Sequence, residues 1–311
     1  EVSRRRRIGC QPTAVRSELT RESDFGTFWD ESLEELRKVQ PDYELREVAR
    51  EKGADARRFE LIMRSHGGVR VRGWLDVPLS EGPHAALLRL PGYTQNMRPL
   101  NNTRGLLVLS LNIRGHGTST DDVPGQPADF WIRGLDAKET YYYRGAYLDC
   151  VRAVDYLASR DDVDPDRIAV WGVSQGGGLA FATAALDPRV DLCIADIPWL
   201  CDWIAYSKLV PKDDDMKDWL AAKKSRTEES VLKTLSYFDT LNFADRIRCR
   251  TLMGVGLQDS ICPPSTSFAT FNRISAPHDY RIYENSGHGL GGAHYMWVVG
   301  EVQKFFGSEK F

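Results

Sequence analysis

Ile168-Ala169-Val170-Trp171-Gly172-Val173-Ser174-Gln175-Gly176-Gly177-Gly178 runs from an apolar strand, through a glycine-flanked serine, into a small-residue stretch that continues to Ala185. Gly172, Ser174 and Gly176 have the G-x-S-x-G spacing, and the strand before and helix after give that pattern a mechanical meaning. The turn is so tight that side chains at Gly172 and Gly176 would collide, and it holds Ser174 in a strained, exposed position at a helix start. There the N–H of Gln175 faces the place where an oxyanion would form, and the helix macrodipole adds positive potential.

A serine hydroxyl is a weak nucleophile near neutral pH, so it needs a base, and the base needs an orienting acid. In a strand–turn–helix setting of this kind both partners follow the serine in the chain, acid first. Asp259 stands just after the strand-like run Arg250 to Val255, and His288 follows Tyr280 to Tyr283 within Ser286-Gly287-His288-Gly289. Open parallel sheets present their functional groups at those carboxyl ends. His294 also follows the last strand but falls in the closing helix with Tyr295 and Trp297. Asp239 and Asp245 are rival acids, yet they precede the strand and read as turn and helix-start caps. Ser174, Asp259 and His288 are therefore the candidate catalytic residues.

Working outward, Tyr147 to Ser159 carries an apolar stripe at Leu148, Val151, Val154 and Leu157, which predicts a helix. A second helix is expected over Asp24 to Val39, opened by Asp/Thr-type caps. Arg57 to Met63 and Val69 to Val77 flank Ser65-His66-Gly67-Gly68 and predict an antiparallel hairpin at a sheet edge. Ala85 to Leu90, Leu106 to Leu111 and Leu192 to Ile197 are short apolar runs, as expected of parallel strands covered on both faces. The alternation is that of an open α/β sheet with right-handed crossovers. The expected organisation is an N-terminal arm over 1–23 and one domain over 24–311. Polar stretches at 121–140 and 199–237 read as insertions that wall or roof a site.

The chain has 311 residues and a formal net charge of −3, so nothing global advertises nucleic acid or an anionic membrane. The run Arg4 to Arg7 reads as a solvated arm. Six dispersed cysteines read as reduced thiols, mostly in the core. No run approaches the roughly 18 apolar residues of a membrane span. Cytoplasmic residence is expected, or export if a leader preceded Glu1. The histidines are scattered without HxxxH or HExxH spacing, so no metal site is expected, and without a dinucleotide fingerprint no cofactor is expected.

From Phe28 to about Gly292 the sequence resembles carbohydrate esterase family seven, the acetyl xylan esterase and cephalosporin-C deacetylase group. The resemblance rests on Tyr141-Tyr142-Tyr143-Arg144, the helix YLDCVRAVDYL, Gly172 to Gly178, Leu235-Ser236-Tyr237-Phe238-Asp239, and the run Gly256 to Thr266. It implies an α/β-hydrolase fold, with a mostly parallel twisted sheet, helices on both faces and the antiparallel hairpin at the N-terminal edge. It implies the same triad of Ser174, Asp259 and His288. It puts the second oxyanion donor on the Tyr93 backbone N–H, beside that of Gln175, and makes Arg114 a brace of the site. The implied activity is a serine carboxylesterase that deacetylates sugars, xylo-oligosaccharides and cephalosporin C, in a homo-oligomer, a hexamer by resemblance. Two departures stand out: His116 where the family usually has glutamine, and Gly289 where it has glutamate. The competing expectations are a prolyl-oligopeptidase-like peptidase and a noncatalytic hydrolase-fold binding protein.

Overall fold

The computed structural model describes residues 8–307, so the Arg4 to Arg7 run lies outside the described residues. Among the described residues nine strands form one sheet: β1 (Glu44–Val48), β2 (Ala56–Arg64), β3 (Arg70–Pro78), β4 (His84–Leu90), β5 (Leu107–Asn112), β6 (Val163–Val173), β7 (Leu192–Asp196), β8 (Arg250–Gly256) and β9 (His278–Tyr283). Their spatial order is β1-β2-β3-β5-β4-β6-β7-β8-β9. From β5 to β9 every pairing is parallel, while β1, β2, β3 and β5 pair antiparallel. The hairpin therefore sits at the N-terminal end of the sheet as expected, with one unforeseen strand outside it. Glu44-Leu45-Arg46-Glu47 is almost wholly exposed, so β1 carries no apolar alternation by which it could be read.

Side-chain alternation along the central strands separates two cores. Ala86 and Leu88 of β4, Leu107 and Leu109 of β5, Val170 of β6, and Cys193 and Ala195 of β7 face one core. Their neighbours Leu87, Val108, Ala169, Leu192 and Ile194 face the other. Both sets are buried, which is why these strands read as continuous apolar runs rather than alternating ones.

The first core is covered by α1 (Phe25–Arg37), α2 (Tyr142–Ala158) and α3 (Gln175–Leu186), and the second by α8 (Gly291–Phe306). In α1, Phe25, Phe28 and Trp29 are buried against Tyr237, Phe238 and Phe243, with Trp29 Nε1 donating to the Tyr237 carbonyl. Asp24 does not cap α1 with its side chain as expected; it accepts instead from Tyr237 Oη and Lys138 Nζ. Nearly every residue of α3 is buried, which explains its glycine and alanine content. The described part of the N-terminal arm is docked: Asn272 donates to the Pro12 and Val15 carbonyls, and Arg21 pairs with Asp245 at 2.7 Å.

Between β7 and β8 the chain makes an excursion through α4 (Trp203–Leu209), α5 (Asp214–Ala221) and α6 (Glu228–Ser236). Asp202, Asp213 and Thr227 cap these helices through their side chains. The 121–140 stretch carries a 3₁₀ helix at Pro127–Ile132. Arg226 joins the two stretches, with its Nε and Nη2 at 3.0 and 2.8 Å from the Asp136 carboxylate. The last α-helix before α8, α7 (Pro264–Phe271), packs behind the loop that follows β8. Among the described residues no helix is long and apolar enough to cross a membrane.

Candidate active site

Ser174 occupies the one-residue turn between β6 and α3, with φ 59° and ψ −117°. A side chain other than glycine's rarely adopts such a conformation, and it persists only where the surroundings over-determine it. Three backbone hydrogen bonds do so: Ser174 N–H donates to the Asp196 carbonyl at 2.8 Å, and its own carbonyl accepts from Trp199 at 2.9 Å and Gly178 at 3.1 Å. The flanking glycines are sterically required, since a Cβ on Gly172 would lie 2.2 Å from the Gly176 backbone, and one on Gly176 would lie 2.6 Å from the Leu90 carbonyl oxygen.

Asp259 is fully buried in the loop after β8. Its Oδ1 accepts from the N–H groups of Ile261 and Cys262 at 2.8 and 2.9 Å, which leaves Oδ2 for His288 Nδ1 at 2.8 Å. The His288 loop follows β9 and is drawn in because a Cβ on Gly256 would lie 2.2 Å from the Gly287 carbonyl, a space only glycine leaves open. His288 Nε2 is then 3.0 Å from Ser174 Oγ. With Nδ1–H donating to Asp259, the assigned tautomer turns the Nε2 lone pair toward the serine hydroxyl. The structure thus brings together all three residues singled out in the sequence, in the relation a nucleophile, base and orienting acid need.

Gln175 is the first residue of α3, where backbone N–H groups have no partner within the helix. Its buried side chain reaches back: Nε2 lies 3.3 and 3.4 Å from the Pro91 and Gly92 carbonyls, and Oε1 accepts from Tyr143 Oη at 2.5 Å. The loop that carries Tyr93 is thereby tied to the serine turn. That loop is also closed on itself by Gly92 N–H donating to Gln95 Oε1 at 3.0 Å. The Tyr93 hydroxyl donates to the Ala128 carbonyl, and its ring meets Trp199 edge-on at 5.4 Å.

Arg114 does not touch the triad. Its guanidinium and N–H hold Asp149 of α2 through three contacts of 2.7–2.9 Å, deep in the protein. It fixes the turn after β5 to α2, as a brace. His116, two residues on, is buried against Phe130 and Tyr142, and burial holds its imidazole below the ordinary value.

Sequence reasoning missed Tyr143, Asp196, Trp199 and Cys262. Tyr143 lies on α2, which starts at Tyr142 rather than Tyr147, and the clustered tyrosines were the available signal. Cys262 Sγ sits 3.9 Å from Ser174 Oγ, but burial pushes its thiol far up, which makes it a poor rival nucleophile. Donor atoms of Asp259, Cys262 and His288 all lie within 4.8 Å of one another. A cation there would have to break the bonds that align the triad.

A cavity of about 300 Å³ opens beside Ser174, walled by Tyr93, Trp131, Trp199 and residues of α4, α5 and α6. The two excursions seen in the sequence therefore both reach the site.

Residues 13–302 match the acetyl xylan esterase (AXE1) family model. The chain belongs to the acetyl xylan esterase family. It is 30% identical over 290 residues to the acetyl esterase Axe7A of Xylanibacter ruminicola, a match that covers 89% of this chain and 65% of that protein. The chain thus spans about two thirds of that relative's length. Among solved structures, the acetyl xylan esterase from Paenibacillus sp. R4 superposes with a TM-score of 0.87 at 32% identity, covering 94% of this chain and 98% of that one. Acetyl Xylan Esterase 1 from Thermoanaerobacterium sp. JW/SL YS485 gives 0.85 at 30% identity, covering 94% and 97%. The fold is therefore that of the α/β-hydrolase esterases, as the sequence implied.

Proposed function

We propose that this member of the acetyl xylan esterase family is a serine carboxylesterase that removes acetyl groups from acetylated sugars and xylo-oligosaccharides through an acyl-enzyme on Ser174. The observation that carries the reading is the continuous relay from Asp259 Oδ2 through His288 to Ser174 Oγ, at 2.8 and 3.0 Å.

In this account His288 Nε2 takes the Ser174 proton as Oγ attacks the acetyl carbonyl carbon. Asp259 fixes the imidazole tautomer through His288 Nδ1 and stabilises the imidazolium. The tetrahedral oxyanion is held by the N–H groups of Tyr93 and Gln175, each such donor contributing on the order of 3 kcal/mol to transition-state stabilisation. His288 returns the proton to the departing sugar oxygen, leaving acetyl-Ser174. A water deprotonated by His288 then attacks the acyl carbonyl and releases acetate. Cephalosporin C presents the same acetyl ester and is included in the proposal.

A hexamer, by family resemblance, and cytoplasmic residence complete the reading. The second is supported by five buried, unpaired thiols, which suit a reducing compartment. Light scattering of the purified protein tests the first. Hydrolysis of acetylated xylose, acetylated xylo-oligosaccharides and cephalosporin C, by wild type and by Ser174→Ala, tests the activity. Acetate release by wild type alone supports it, and equal inertness of both on every substrate overturns it.

A further inference from the structure

The cavity beside Ser174 is much larger than an acetyl methyl requires, and its walls have one character. Trp131, Trp199, Trp203 and Tyr206 form a connected aromatic rim, with successive ring centroids 6.5, 5.6 and 5.3 Å apart. Behind them Met216 and Leu220 come from α5, and Val231, Leu232 and Leu235 from α6. Several polar side chains in the lining are already engaged, while the indole N–H groups of Trp199 and Trp203 have no partner among the described residues. Lys212 and Glu228 pair with each other at 2.8 Å, Asp213 caps α5 through the Met216 N–H at 2.9 Å, and Ser207 donates to the Ile204 carbonyl at 3.0 Å.

A sugar ring seated deep in such a space would press several hydroxyls against Leu220, Val231 and Leu232 without partners, which is strongly unfavourable. An alkyl chain or an aromatic ring would bury apolar surface against apolar surface and lose nothing. The roof is also built in advance. Arg226 bonds Asp136 with two nitrogens, donates to the Trp219 carbonyl at 2.9 Å and stacks on the Trp219 ring at 3.9 Å. Pre-formed apolar pockets with a few fixed polar groups are the usual form of small-molecule sites.

We propose that the enzyme takes esters of which one arm is an apolar, ring-sized group, and that the cavity under α5 and α6 holds this arm. The proposal rests on Ser174 as the nucleophile. A polar sugar portion stays at the mouth, where His288 is exposed. The apolar arm can come from either side of the ester: an acyl group longer than acetyl, or the alcohol of an apolar acetate.

Two substrate series on the full chain separate these sources. One fixes p-nitrophenol and varies the acyl group through acetate, butyrate, hexanoate and benzoate. The other fixes acetate and varies the alcohol through methyl, butyl, benzyl and naphthylmethyl. In the series that reaches the cavity, kcat/KM rises about fourfold per buried methylene until the space is filled. Leu232→Trp, which fills the cavity from α6, collapses the ratio of largest to smallest substrate in that series, with a melting curve reporting on its fold. If that variant does not fold, Leu220→Phe serves the same purpose from α5. Acetate turnover with both series flat or falling overturns this proposal and leaves the esterase reading standing. Inertness of wild type to every ester overturns both.

Discussion

His294 Nε2 lies 2.7 Å from Asp196 Oδ1, and both side chains are buried at the carboxyl end of the sheet. The angle falls outside hydrogen-bond geometry, so the contact is one of ion-pair distance rather than a directed bond. The same carboxylate accepts from Trp171 Nε1 at 2.8 Å and from the Gly254 N–H at 3.1 Å, and the Asp196 carbonyl holds the Ser174 N–H. One residue thus links β6, β8 and α8 beneath the serine turn.

Asp196→Asn turns one acceptor oxygen into a donor amide facing either the Trp171 or the Gly254 donor, which sit on different oxygens. The expected cost is about 1–3 kcal/mol of stability, because a buried donor is left unpaired. A fall in kcat accompanies it as the Ser174 backbone loses its firm neighbour. Thermal melts and steady-state kinetics on p-nitrophenyl acetate check both, and a variant indistinguishable from wild type removes Asp196 from the account.

Tyr143→Phe deletes the donor to Gln175 Oε1 without changing the packing volume. Gln175 then holds the Pro91 and Gly92 carbonyls less firmly, and the two proposed oxyanion donors, the N–H groups of Tyr93 and Gln175, lose their fixed spacing. A several-fold fall in kcat with little change in KM is expected, since the loss falls on the transition state. A pure KM effect would instead place Tyr143 in substrate binding.

Gly172→Ala places a methyl 2.2 Å from the Gly176 backbone, where neither partner can move without reshaping the turn. The expected result is a destabilisation of about 3 kcal/mol or more, or failure to fold. Gly289→Ala is the control, because a Cβ at Gly289 meets nothing within 4 Å. Chemical denaturation of both variants gives the comparison.

His116 sets a pH dependence of stability. Burial holds its folded-state pKa below the ordinary 6.5, so on acidification the unfolded chain binds this proton first. More protons on the unfolded state mean stability falls as pH falls, and the contribution is complete only above about 6.5. His116→Gln, which replaces the titrating ring with a neutral amide, narrows the gap between melting temperatures at about pH 7.5 and pH 5.5. His66, also held down first by burial, leaves a residual slope. An unchanged gap would show that His116 is not a source of it.

The serine turn and its partners were legible because their constraints are local or ordered along the chain. A glycine pair around Ser174, a strand before Asp259 and another before His288 are all visible without contacts. Strand β1 was hidden because its exposed side chains carry no period, and the start of α2 because its tyrosines obscure the stripe. Asp196 and Tyr143 act through partners 58 and 32 residues away, so only the fold reveals them. The cavity's apolar character was likewise invisible, since it depends on which faces of α5 and α6 turn inward.

The most direct test of the account is to look for the acyl-enzyme. Wild type is mixed with p-nitrophenyl acetate, quenched rapidly in acid and digested, and the peptide containing Ser174 is examined by mass spectrometry. The account predicts an acetyl adduct on Ser174, a burst of p-nitrophenol matching its amount, and loss of both in Ser174→Ala. An adduct on another residue, Cys262 above all, or undiminished turnover by Ser174→Ala would contradict it.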